Sequence, residues 1–228
     1  MYNYRKSRGK KRTMRKKSIV SKPIKAYVKK ATTAAADVRY SYRQSGSYAA
    51  GGDAMTYTIS YINTAYFPAQ DASIDGREGD TITPLSFRFW GHMIASDTYN
   101  ICRFILFQFM GDTNYTAPQA SIMFNTQVVA SGNAPAPYAP LRSEAKSLYH
   151  ILYDSGPKYM SLASASYLNE NGVRMFDIRI PKKKLRKIKS TVTDSNNGTG
   201  FLYACLISDS SAIVHPQIQW MSELKFIS

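Results

Sequence analysis

The chain has 228 residues, 44% of them hydrophobic and 13% aromatic, and its 30 Lys or Arg against 15 Asp or Glu give a net charge of +15. This composition can bury a full core, which excludes wholesale disorder, and Cys102 and Cys205 alone exclude a multi-bridge secreted scaffold or a Cys-based zinc finger. No apolar run approaches the roughly 20 residues of a membrane span, and no h-region follows the basic N-terminus, so a soluble chain made in a reducing compartment is expected.

Residues 1–22 are too charged and too poor in core-forming side chains to fold alone. Residues 1–30 hold 13 cations and no acid. Pro23 suits the first position of a helix, and Ile24, Tyr27, Val28 and Ala31 then form one apolar stripe within a short helix from Pro23 to Ala35. The Gly and Ser content of residues 41–53 reads as a linker. The expected division is therefore a basic disordered arm (1–22), a short helix and linker (23–53), and a β domain (54–228).

Beyond Ala54 the period changes to two, the mark of half-buried strands. Met55, Tyr57, Ile59 and Tyr61 alternate with polar residues, as do Leu85, Phe87 and Phe89. Asn100 to Met110 is almost continuously apolar, as a strand buried on both faces would be. Leu148 to Tyr153 and Tyr159 to Leu162 read as two short strands or one bent one. Phe176, Ile178 and Ile180 alternate, Phe201 to Ile207 is a second buried run, and Ile218, Trp220, Leu224 and Phe226 alternate again. Residues 111–146 are a long connection with a short helix expected over Ser121 to Val129. No strand-helix-strand alternation appears, so the fold class is all-β: an antiparallel sandwich or jelly roll.

The sequence holds few residues in catalytic or ligand-binding arrangements. His92, His150 and His215 are scattered, without carboxylates at ligand spacing, and read as structural. No nucleophile elbow, phosphate loop or zinc helix motif is present, so no enzyme is expected. Asp75, Glu78 and Asp80 crowd one turn, which reads as a charged strand entry in preference to a calcium loop. Cys102 and Cys205 read as small buried hydrophobes, with a bond between them left open.

The basic blocks are the stronger signal. Arg5, Lys6, Arg8, Lys10, Lys11, Arg12, Arg15, Lys16, Lys17, Lys22 and Lys25 have no spacing that aims at particular bases. Such an arm neutralises phosphates with little sequence preference; the bland alternatives are a solubilising tail or a nuclear localisation signal. A second block holds Lys182, Lys183, Lys184, Arg186, Lys187 and Lys189. It reads as nucleic-acid contact, against a solvated loop or a second import signal.

Four segments carry a family resemblance. Gly76-Arg-Glu-Gly-Asp80 opens Thr81-Ile-Thr-Pro-Leu-Ser-Phe-Arg-Phe-Trp90, and Tyr99-Asn-Ile-Cys-Arg-Phe-Ile-Leu-Phe107 follows. This resembles capsid proteins of satellite tobacco necrosis virus and of circovirus-like small circular DNA viruses. Asn196 to Asp209 looks like the penultimate strand of those shells, and Val173 to Pro181 matches in position. The resemblance covers residues 54–228 in order, and the arm in character only. It implies a single eight-stranded jelly roll with the basic arm on the genome, and a closed shell, T=1 with sixty copies of one subunit. Single-stranded DNA is favoured over RNA as the genome. An import receptor is a further partner, the virion and the host nucleus or cytoplasm are the locations, and no membrane is involved. No cofactor is implied beyond a structural calcium whose ligands map to no residue here. Sixty arms of 13 cations would supply about 780 positive charges, enough for a genome on the order of a thousand bases with the second block added. The runner-up is a non-capsid nucleic-acid-binding β-barrel, ribosomal or chromatin-like, which would need aromatics beside cations on one exposed face. A β-sandwich enzyme or lectin is the third class.

Overall fold

A computed structural model describes residues 21, 23–25, 27–28, 31, 38–49, 60–63, 79–95, 100–113, 118, 120–125, 137–161, 172–190, 198–209 and 216–228. The chain divides into two compact units, Met1–Ala36 and Asp37–Ser228. In the first, residues 23–25, 27, 28 and 31 are helical, and the Lys25 N–H donates to the Ser21 carbonyl at 3.1 Å. Residues 32–35 of the expected helix lie outside the described residues.

The second unit is all-β, and every strand pairing among its described residues is antiparallel. Its strands among the described residues are β1 (Val38–Ala49), β2 (Ser60–Asn63), β3 (Thr81–Ile94), β4 (Asn100–Phe109), β5 (Tyr149–Asp154), β6 (Lys158–Met160), β7 (Val173–Pro181), β8 (Ile188–Ser190), β9 (Gly198–Thr199), β10 (Phe201–Ser208) and β11 (Gln217–Ile227). One sheet runs β1-β11-β3, and the far edge of β3 is shared by β7 and β8, with β9 beyond β8. The other runs β2-β10-β4, and the far edge of β4 is shared by β5 and β6. These last two are a single strand interrupted at residues 155–157, where Gly156 takes a left-handed φ of +62°.

The linker expected over 41–53 is corrected. Val38 to Ala49 is β1, laddered against β11 from Val38 opposite Ile227 to Ala49 opposite Gln217, with a register shift between Ser45 and Tyr48. Composition alone misleads here because hydrogen bonding to an already buried neighbour holds a polar strand that its own side chains would not. The sheet-bearing unit accordingly starts at Asp37, ahead of residue 54. The helix expected over Ser121 to Val129 is a single turn, Ala120–Met123, after which Phe124 bridges to Leu141; residues 126–129 lie outside the described residues. Of the strand expected from Met55, only Ser60–Asn63 is described.

Between the sheets Phe89 stacks on Phe104, Phe176 and Trp220 at 5.3, 5.4 and 5.1 Å. Alternation along β4 turns Phe107 and Phe109 to the opposite face, where they meet Tyr149 and Tyr203 at 5.2–6.4 Å. Met123, Phe124, Ala139 and Ala145 from the long connection join the same buried cluster. That cover is why β4 and β10 are apolar on both faces rather than alternating.

Arg103 brings a charge into this layer. Arg103 of β4 donates from Nη1 to the Ala139 carbonyl at 2.7 Å, and from Nε and Nη2 to the two carboxylate oxygens of Asp154 at 2.9 and 2.6 Å. It ties the connection to the sheet, and its guanidinium lies 5.8 Å from the Phe124 ring centre. Cys102 and Cys205 sit on neighbouring strands but three rungs apart, opposite Ser208 and Ile105, and both are free thiols. Burial pushes the Cys205 thiol well above its ordinary value.

Candidate nucleic-acid interface

β7 ends at Pro181, whose fixed geometry leads into a 3-10 turn, Lys182–Lys184, closed by the Leu185 N–H on the Lys182 carbonyl at 3.0 Å. Leu185 packs partly against the core and Ile188 is buried, while Lys182, Lys183, Lys184, Arg186, Lys187 and Lys189 are all exposed. Two apolar footholds thus fix a segment whose six cations face water. None of the six forms an ion pair among the described residues. The sequence pattern, taken as extended, would spread these cations over both faces; with the turn and the two footholds, all six are exposed.

The backbone of this segment is clamped from the other sheet. Gln108 of β4 is fully buried. Its Nε2 donates to the Arg186 carbonyl at 3.0 Å and to the Gly200 carbonyl at 2.8 Å, and its Oε1 accepts the Arg186 N–H at 2.8 Å. Every polar atom of one buried amide is thereby used to hold one residue of a basic loop. His150 of β5 adds a fourth bond from Nε2 to the Lys184 carbonyl at 2.8 Å. A carbonyl only accepts, so Nε2 carries the proton. Gly200, with φ +80°, lies so close beneath that a Cβ there would stand 2.4 Å from the Lys187 carbonyl oxygen. The residue type at that position follows from both constraints.

Arg179 precedes the segment on β7. It shares Asp177 with Arg88 of β3, which binds that carboxylate through two bonds of 2.9 Å; the Arg179 bond is 3.1 Å. Hydrogen bonds from Arg88 and Arg179 hold the Asp177 pKa down to about 2.

Of the arm residues, only Lys25 lies within the described residues, exposed on the helical stretch. Arg5, Lys6, Arg8, Lys10, Lys11, Arg12, Arg15, Lys16, Lys17 and Lys22 lie outside them. So do His215, Asp75 and Glu78; Asp80 is described, and its carbonyl accepts the Ser190 N–H at 2.8 Å. No group of three or more metal-ligating side chains occurs among the described residues. Sequence reasoning missed Gln108 and His150 as supports, although a glutamine inside an aromatic run is a visible anomaly.

No protein-family model matches the chain, and no curated protein matches it either.

Proposed function

We propose that the chain is a viral capsid protein, a jelly-roll subunit that assembles into a small closed icosahedral shell and packages a nucleic-acid genome through its basic segments. Strand order is the observation that carries this reading. Count β1, β2, β3, β4, β5, β7, β10 and β11 as strands one to eight; the sheets then run 1-8-3-6 and 2-7-4-5. Strand one pairs with eight, two with seven, three with six and four with five. Such pairing is what one long antiparallel hairpin rolled into a sandwich would give, and it supports the jelly-roll reading, an architecture that capsid and lectin domains share. Charge weighs toward the capsid: residues 1–30 and the segment Arg179–Lys189 are acid-free, while the rest of the chain holds ten cations against fifteen acids. Walls of mildly acidic character can pack against one another while the cations meet phosphate.

Negative-stain microscopy of purified protein tests assembly. Uniform closed particles are expected, and only monomers or dimers across salt and pH would refute the capsid reading. Deleting residues 1–22 is expected to strip nucleic acid from the particles without unfolding the body. Nuclease sensitivity of the protected polymer after disruption then distinguishes DNA from RNA. The non-capsid nucleic-acid-binding reading gains support from one observation, an exposed sheet face on which aromatics alternate with cations.

A further inference from the structure

The outer face of the first sheet is built from rows of side chains that the ladder places side by side. One row holds Tyr42, Glu223, Arg88 and Arg179, the next Met221, Trp90 and Asp177, and the next Gln219, His92 and Met175. Tyr40 and Lys225 flank the first row. Such a face is ordinarily polar, because only the inner one is covered. Here Met175 is 86% exposed and Tyr42 59%, with Met221 also exposed and Trp90 part-exposed.

Cations stand over the rings instead of apart from them. The Arg88 guanidinium lies 4.6 Å from the Trp90 ring centre, and the Lys225 ammonium 5.2 Å from that of Tyr40. Tyr40 and Tyr42 lie nearly parallel, 10° apart with centroids at 6.5 Å. Two shallow depressions meet at Arg88. One, of about 390 Å³, is lined by Trp90, His92, Met175 and Phe176; the other, of about 490 Å³, by Arg179, Pro181 and Glu223. The second reaches Pro181, the residue that leads into the Lys182–Lys184 turn.

We infer that this face binds single-stranded nucleic acid by base stacking, with Trp90, Arg88 and Tyr42 as the platform and Arg179 leading the phosphates onto the Lys182–Lys189 segment. The inference rests on nucleic acid being the partner and adds where the bases go. Aromatic rings and guanidinium planes both accept any base, because every base has a π face. A subunit interface is the competing occupant of an exposed apolar face, but interface cores are depleted of charge. This face puts Arg88, Arg179, Lys225, Asp177 and Glu223 among its aromatics. Interleaving of that kind suits a polymer that is itself alternately aromatic and charged.

Intrinsic fluorescence tests the inference on the full chain. Of the two tryptophans, Trp220 is buried at 2% exposure, so a bound base reaches Trp90. A ten-residue oligothymidine is titrated at about 0.5 M salt, where phosphate contacts are screened. An abasic oligomer of the same length serves as the control. Oligothymidine is expected to quench the emission and the abasic oligomer to leave it unchanged. Trp90→Leu, which keeps apolar bulk but no ring, is expected to weaken oligothymidine binding roughly tenfold, and Trp90→Tyr to restore most of it. Equal quenching by both oligomers, or full affinity in Trp90→Leu, would overturn the inference. So would a change of assembly state in Trp90→Leu with binding intact, which would make the face a contact between copies. Quenching in a protein that never forms particles would leave stacking intact and sink the capsid reading; particles with no quenching would do the reverse.

Discussion

Gln108→Leu is expected to loosen the basic segment without unfolding the sandwich. The substitution keeps an apolar bulk of similar size in the fully buried site but removes three hydrogen bonds, two to Arg186 and one to Gly200. At about 1 kcal/mol net for each, the clamp contributes on the order of 3 kcal/mol. Arg186 itself is exposed, so its peptide can regain water by lifting away, and the loss is felt as local opening. At 1.4 kcal/mol per decade, the open population of residues 185–187 should rise by about two orders of magnitude. Native-state hydrogen exchange reads this directly: protection of the Arg186 amide should fall about 100-fold, while amides of β4 and β10 keep theirs. Gln108→Glu keeps an acceptor for the Arg186 N–H but loses the donations to the Arg186 and Gly200 carbonyls, so its loss of protection should be smaller than that of Gln108→Leu. Unchanged Arg186 protection in both variants would refute the clamp; uniform loss across the sheet would show that Gln108 serves the core alone.

Asp154→Asn is expected to cost about 3 kcal/mol, since Arg103 at 10% side-chain exposure is left without its counter-charge, and thermal unfolding should shift down by roughly 6–12 °C. Burial pushes the Asp154 pKa up, but bonds from Arg103 and the Gly156 N–H together with the Arg103 charge bring it below 3.8. With the folded pKa depressed, this contribution is complete above the ordinary aspartate value and is lost as pH falls through the folded one. Denaturation midpoints should therefore drop in acid for the wild type and less steeply for Asp154→Asn. Gly91→Ala puts a Cβ 2.0 Å from the Gln219 carbonyl oxygen and 2.8 Å from the Trp220 Cα, so β3 and β11 must part. Chemical denaturation is expected to show a loss of about 3 kcal/mol or more.

The strands that alternate, such as Phe87-Arg88-Phe89 and Ile218 to Phe226, are legible because burial on one face writes itself into the order of residues. β1 is not, because what holds it is the β11 ladder, and its own Tyr40 and Tyr42 alternate with Arg39 and Ser41 against the usual sense: the polar residues are the buried ones. β8 and β9 are too short to show a period. The basic block was legible as charge, yet its anchoring depends on Gln108, 78 residues earlier, and on His150 in a different strand. No local pattern encodes that pairing. The stacking face escaped for a related reason: Tyr42, Trp90 and Met175 meet only through the register of four strands.

Two groups of cations on one chain raise the question of whether both touch phosphate, and salt dependence answers it by counting. Each contact to a single strand contributes about 0.7 to the slope of log affinity against log salt. Six contacts from Lys182, Lys183, Lys184, Arg186, Lys187 and Lys189 would contribute about 4. Replacing all six with Gln in the full chain should lower the slope by that amount and leave the remainder to residues 1–30. Because the wild-type segment is pinned by Gln108 and His150, its side chains lose little further backbone freedom on binding. The six-fold variant should therefore lose more affinity per charge than a variant with six arm cations replaced, while the two slopes fall equally. An unchanged slope in the segment variant would show that these cations face solvent only. Equal affinity losses from arm and segment would show that the clamp, however well bonded, confers no advantage in binding.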